Sequence, residues 1–91
     1  MQRIKFEAWA AKWCAETGTQ FVGKGDTATA SHCAPGEVYC LDIRVRDYDG
    51  TERTVTLYPG AVAEVCGYLP KGCRRGLVAQ FVDEGDLTIS K

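Results

Sequence analysis

Between residues 37 and 58 the chain alternates apolar and polar side chains with a period of two, and this pattern constrains its fold more than any other feature. Tyr39, Leu41, Ile43 and Val45 fall on one side of the first run, with Asp42, Arg44 and Arg46 on the other. After Asp49-Gly50 the habit resumes, with Val55 and Leu57 on one side and Glu52, Thr54, Thr56 and Tyr58 opposite. Successive strand residues point to opposite faces, so each run reads as a strand with one face buried and one in water. Asp-Gly between two such runs is a strong hairpin signal, because glycine accepts the positive φ of a tight turn. The chain must therefore build a sheet and find something to cover its apolar face.

The cover is supplied at the N-terminus. Residues 2–17 contain no proline and no glycine, and Thr17-Gly18 supplies a stop, so the pattern predicts one helix over 2–17. At about 100° per residue, Phe6, Trp9 and Trp13 gather on one side. Ile4, Ala8, Ala11 and Ala15 gather nearly opposite, with Lys5, Lys12 and Glu16 between. Large aromatics dominate small cores, so the aromatic side is expected against the sheet. The alanine side is then a spare apolar surface, suited to close approach by another helix.

The remaining segments are shorter. Residues 19–22 and 27–32 read as a weak hairpin around Gly23-Lys24-Gly25-Asp26, and Ala34-Pro35-Gly36 breaks the chain. Pro59 opens a short helix through residue 69, with Val62, Val65, Cys66 and Leu69 as its buried stripe and Pro70 as its stop. Residues 71–76 form a basic loop. Residues 77–82 and 87–90 form a last hairpin around Asp83-Glu84-Gly85-Asp86. The expected fold is a single α+β domain over 1–91. It has a small antiparallel sheet of four to six strands, a long N-terminal helix packed on one face and a second short helix.

A net charge of −1 on 91 residues provides no global field toward nucleic acid or anionic membrane. No apolar run approaches the ~20 residues of a membrane span. Arg3, Lys5, Glu7 and Lys12 interrupt the first residues, so no signal-peptide core is seen and the cytoplasm is the expected compartment. Five cysteines are an odd number and lack that export context, so reduced, buried thiols are expected rather than a disulfide framework.

Chemistry-bearing patterns are sparse. Cys33 and Cys40, and Cys66 and Cys73, are each separated by six residues, with His32 beside the first pair; structural zinc ligands usually come two to four apart. A Cys66–Cys73 disulfide is conceivable only under oxidation. His32 and Cys33 are strand neighbours facing opposite ways, which argues against a thiolate–imidazole dyad. Asp47-Tyr48-Asp49-Gly50-Thr51-Glu52 echoes a calcium loop but lacks its third early oxygen ligand and its twelfth-position Glu, and Gly23-Lys24-Gly25 is too short for a phosphate loop. The expectation is no catalytic residue, no metal and no cofactor.

Arg44, Arg46, Lys71, Arg74 and Arg75 are the candidate contacts of an alternative reading, a nucleic-acid-binding module; a thiol or zinc protein is a second alternative. The expected order of helix, three strands and helix is similar to that of double-stranded RNA-binding domains. The second helix, however, opens with Pro59-Gly60-Ala61-Val62-Ala63-Glu64 and offers no lysine to phosphate. Asp42, Asp47 and Glu52 also oppose phosphate.

No family motif is matched residue for residue. In size, cytosolic character and poverty of motifs, the chain resembles the small proteins of phages and mobile elements, anti-CRISPR inhibitors among them. That resemblance carries no site residues. It implies a non-enzymatic protein that binds a host protein or complex stoichiometrically and blocks it. The candidate protein-binding residues are the acidic Asp83, Glu84 and Asp86, as a mimic of nucleic acid, and the basic Lys71, Arg74 and Arg75. A homodimer through the N-terminal helix is a further expected use of the alanine face, and no membrane partner is expected.

Overall fold

The structure is a computed structural model that describes residues 1–28, 40–69, 78–83 and 85–90, with the backbone alone at 26–28. The elements run β1 (Gln2–Ile4), α1 (Phe6–Thr17), β2 (Gln20–Ala28), β3 (Leu41–Arg46), β4 (Glu52–Leu57), α2 (Pro59–Val65), β5 (Val78–Val82) and β6 (Asp86–Ser90). The class is α+β with antiparallel pairing, as expected, but the strands form two sheets rather than one. Their orders are β1-β6-β5 and β2-β3-β4.

The division begins at the N-terminus. Residues 2–17 do not form one helix: Gln2, Arg3 and Ile4 pair with Ile89, Thr88 and Leu87 of β6. The helix begins at Phe6 because the backbone N–H of Phe6 finds an acceptor in the Asp86 carboxylate at 3.0 Å. The first amides of a helix have no intrahelical partner, and here one from distant sequence is provided. The helix is thus 12 residues, roughly 18 Å long, and the expected long N-terminal helix is shortened by a strand. Gly18, at φ 72°, ends it; the Thr19 amide bonds the Cys14 carbonyl at 2.9 Å.

The aromatic face of α1 is the one that packs inward. Phe6, Trp9, Ala10, Trp13 and Cys14 are buried, and Trp9 is 0% exposed. Its ring meets Phe6 edge-on at 5.2 Å and stacks on Phe81 at 5.4 Å, while its indole N–H donates to the Gly85 carbonyl at 2.8 Å. One side chain therefore ties α1 to β5 and to the turn of the last hairpin. Ala8, Ala11 and Ala15 are exposed. Ile4 is not part of that face; it belongs to β1 and packs half-buried against the core.

The hairpin expected around Gly23-Lys24-Gly25-Asp26 is replaced by a continuous β2, which pairs with β3 through two register irregularities. The glycines serve proximity here, not reversal. A Cβ at Gly25 would lie 2.6 Å from the Asp42 Cβ and 2.7 Å from its carbonyl oxygen, so only glycine lets β2 pass this close to β3. The Lys24 ammonium sits 5.2 Å from the centre of the Phe6 ring.

In β3, Leu41, Ile43 and Val45 are buried, as the alternation requires, and they pair with Leu57, Val55 and Arg53 of β4. Helix α2 stops at Val65, short of residue 69. Gly67, at φ 72°, lets the Tyr68 amide reach the Ala63 carbonyl at 2.9 Å and its own amide reach Glu64 at 3.2 Å. Val62 and Cys66 are buried with Ala63, but Val65 is 41% exposed and Leu69 only half-buried, so the expected stripe is narrower.

Candidate interaction surface

The turn between β3 and β4 is held by three short bonds. The Gly50 amide donates to the Asp47 carbonyl at 2.9 Å, and the Asp47 amide to the Thr51 carbonyl at 2.8 Å. The Thr51 amide donates to the Asp49 carboxylate at 2.9 Å, which holds that carboxyl below its usual range. Gly50, at φ 89°, closes a loop of Tyr48, Asp49 and Gly50. Outside the loop, the Asp47 carboxylate accepts two bonds from Arg53 Nε, at 2.9 and 3.2 Å, and keeps that guanidinium charged to higher pH. The residues that echoed a calcium loop are therefore engaged with their own hairpin.

Tyr48 caps this turn and is 98% exposed, the highest value among the described large apolar and aromatic side chains. Beside it lies a cleft of about 260 Å³, walled by Gly18, Thr19 and Gln20 after α1 and by Arg46, Asp47 and Gly50 of the hairpin. The two walls are joined because Gln20 pairs with Arg46 across β2 and β3.

The outer face of β3 and β4 carries Arg44, Arg46 and Glu52. Arg46 meets Glu52 at 2.8 Å and Arg44 meets it at 3.4 Å, and these contacts, Arg46 first, lower the Glu52 carboxyl. One carboxylate thus offsets one of the two positive charges of the arginines expected to contact nucleic acid. Asp42, on the same face but nearly buried, accepts from the Thr56 hydroxyl at 2.6 Å.

The acidic candidates separate. Asp86 is 8% exposed and sits at the start of β6. It accepts from the Phe6 amide, from Arg3 at 2.9 and 3.0 Å, and from Lys5 at 3.4 Å. Those contacts, the Phe6 amide first, hold its carboxyl below the usual range. Asp83 is exposed and ion-paired with the same Arg3 guanidinium, which both aspartates keep charged. Arg3, on β1, was not singled out from sequence, since only the terminal pairing brings it here. Glu84, Lys71, Arg74 and Arg75 lie outside the described residues, as do His32, Cys33 and Cys73.

Cys14, Cys40 and Cys66 are buried thiols. Cys66 donates to the Trp9 carbonyl at 3.7 Å, and burial pushes its pKa up, away from a reactive thiolate. Among the described residues no three His, Cys, Asp or Glu side chains converge as a metal set, and no helix is long and apolar enough to cross a membrane. Comparison with protein-family models, curated proteins and solved structures found no match.

Proposed function

We propose that this chain is a non-enzymatic protein-binding module that engages a host protein or complex through the Tyr48 turn and its adjoining cleft. In this reading it acts as small phage-type inhibitors do, by stoichiometric occlusion. The observation that carries the reading is a phenol ring 98% exposed on a turn whose backbone is fixed by its own hydrogen bonds. A tyrosine on a fixed backbone has only two side-chain torsions to immobilise on docking and supplies a large contact with a polar tip, which is why tyrosine is common at interface hot spots. The cleft beside it offers room for a side chain of the partner, with Arg46 and Asp47 on its walls.

Nucleic-acid mimicry by Asp83, Glu84 and Asp86 is the weaker form of the proposal. Asp86 is tied into the fold and Asp83 shares Arg3 with it, so these two aspartates leave little negative field for a basic groove. The test is recovery of tagged wild-type chain and a Tyr48→Ala variant from a lysate of the native host, with bound proteins identified and bound nucleic acid and zinc measured. A stoichiometric protein lost from Tyr48→Ala supports the proposal. Nucleic acid or zinc in place of a protein overturns it.

A further inference from the structure

We infer that two copies of this chain pair through the outer edge of β4, joining their β2-β3-β4 sheets into one six-stranded antiparallel sheet. A strand at a sheet edge presents unpaired amides and carbonyls, and folded proteins usually blunt such edges by shortness, bulges or cover. Three of the four edges here are blunted. β1 has three residues, β2 is broken by two register irregularities, and α2 packs against β5. β4 is the longest edge strand with an unbroken register, which runs over all six of its residues without a bulge, and among the described residues nothing pairs with its outer side. Its sequence, Glu52-Arg53-Thr54-Val55-Thr56-Leu57, contains no proline or lysine and is rich in residues that favour strands.

The occupant is identified by self-complementarity. A two-fold axis normal to the sheet keeps each copy's inner residues on the inner face. With the axis at Val55, each Val55 meets its counterpart, Thr54 meets Thr56 of the second copy in two equivalent pairs, and Arg53 meets Leu57. No like charges are opposed, and facing threonine and β-branched pairs are favourable across strands. Moving the two-fold axis from Val55 to Arg53 sets Arg53 against Arg53, which like-charge repulsion disfavours. The strand can therefore face a second copy of itself with threonine and β-branched residues opposed and no like charges brought together, as an isologous dimer requires.

The test is sedimentation velocity on the full chain from low micromolar to near-millimolar concentration, with amide exchange followed at both ends of the range. Thr54 is exposed on the outer face opposite Arg44. Thr54→Asp is therefore compatible with the monomer, yet it sets a carboxylate toward Thr56 and Asp42 of the second copy. The expected result is a mass rising from one chain toward two, with added protection confined to β4. Association should weaken at least tenfold in Thr54→Asp and stay unchanged in Ala11→Lys on the exposed face of α1, with circular dichroism confirming that both variants fold. A mass of one chain at every concentration overturns the pairing, including the case where the edge serves an extended segment of a different protein. A dimer lost in Ala11→Lys and retained in Thr54→Asp also overturns it, by moving the interface to the helix. Self-association is read on the isolated chain and stands or falls separately from binding at Tyr48.

Discussion

The Asp86 carboxylate accepts the backbone N–H of Phe6 at 3.0 Å across eighty residues of sequence, so the last strand caps the first helix. The same carboxylate takes Arg3 and Lys5, and a negative charge beside the start of a helix is favourable to its dipole. Asp86 is therefore the fastening between the chain's two ends. Asp86→Ala should cost about 1–3 kcal/mol, from a lost cap and an orphaned buried amide. For a domain of this size each kcal/mol is ~4–8 °C in melting temperature. Asp83→Ala, which removes only an exposed partner of Arg3, should stay within about 0.5 kcal/mol. Thermal melts of the two variants test the contrast.

The pH dependence follows from the same group. Asp86, Glu52 and Asp49 each have a folded-state pKa below the ordinary carboxyl value. The unfolded chain therefore binds protons first, and the stability these groups contribute is full above the ordinary carboxyl range of about 4 and lost as pH falls through their lower folded values. Glu52 and Asp49 are exposed and their share is screened by salt. Chemical unfolding from neutral pH down to pH ~2 should show a fall that Asp86→Asn makes shallower.

Gly25 and Gly23 should respond oppositely to alanine. Gly25→Ala drives a Cβ into the Asp42 backbone at 2.7 Å and should cost about 1–3 kcal/mol. Gly23→Ala meets nothing within 4 Å and should be neutral or slightly stabilising. Equal effects from the two would mean that β2 does not pass over β3 as described.

The hairpin of β3 and β4 was legible in the sequence because its information is local: alternation with a buried face and an Asp-Gly turn. The aromatic face of α1 was legible for the same reason. Gln2–Ile4 was not, since three residues of helix-compatible sequence become a strand only when β6 lies beside them. Gly23 and Gly25 were read as a turn, because glycine's two uses, reversal and close approach, look alike until the neighbour at Asp42 is known. Leu87, Thr88 and Ile89 signalled a strand, but nothing in them revealed that β6 would be central in a sheet of its own. At the surface, Tyr48 was visible only as a turn residue. Its exposure depends on the turn pointing away from the core, which composition does not encode.

Cys14, Cys40 and Cys66 should resist alkylation in the folded chain. They are buried, and burial raises the Cys66 thiol further from its reactive form. Mass spectrometry after brief treatment with iodoacetamide at neutral pH should find these three unmodified, and modified once denaturant is added. Rapid labelling of Cys66 without denaturant would contradict its place beneath Trp9.

Binding through Tyr48 is tested most directly by the affinity of the wild-type chain and of Tyr48→Ala for the protein partner recovered from the host lysate, measured by titration calorimetry. Tyr48 makes little contact with the core, so the variant should melt within about 0.5 kcal/mol of the wild type. A hot-spot aromatic is worth at least ~2 kcal/mol, so affinity should fall roughly thirtyfold or more. Equal affinity of the two chains for that partner would contradict the account and move the interface away from the turn.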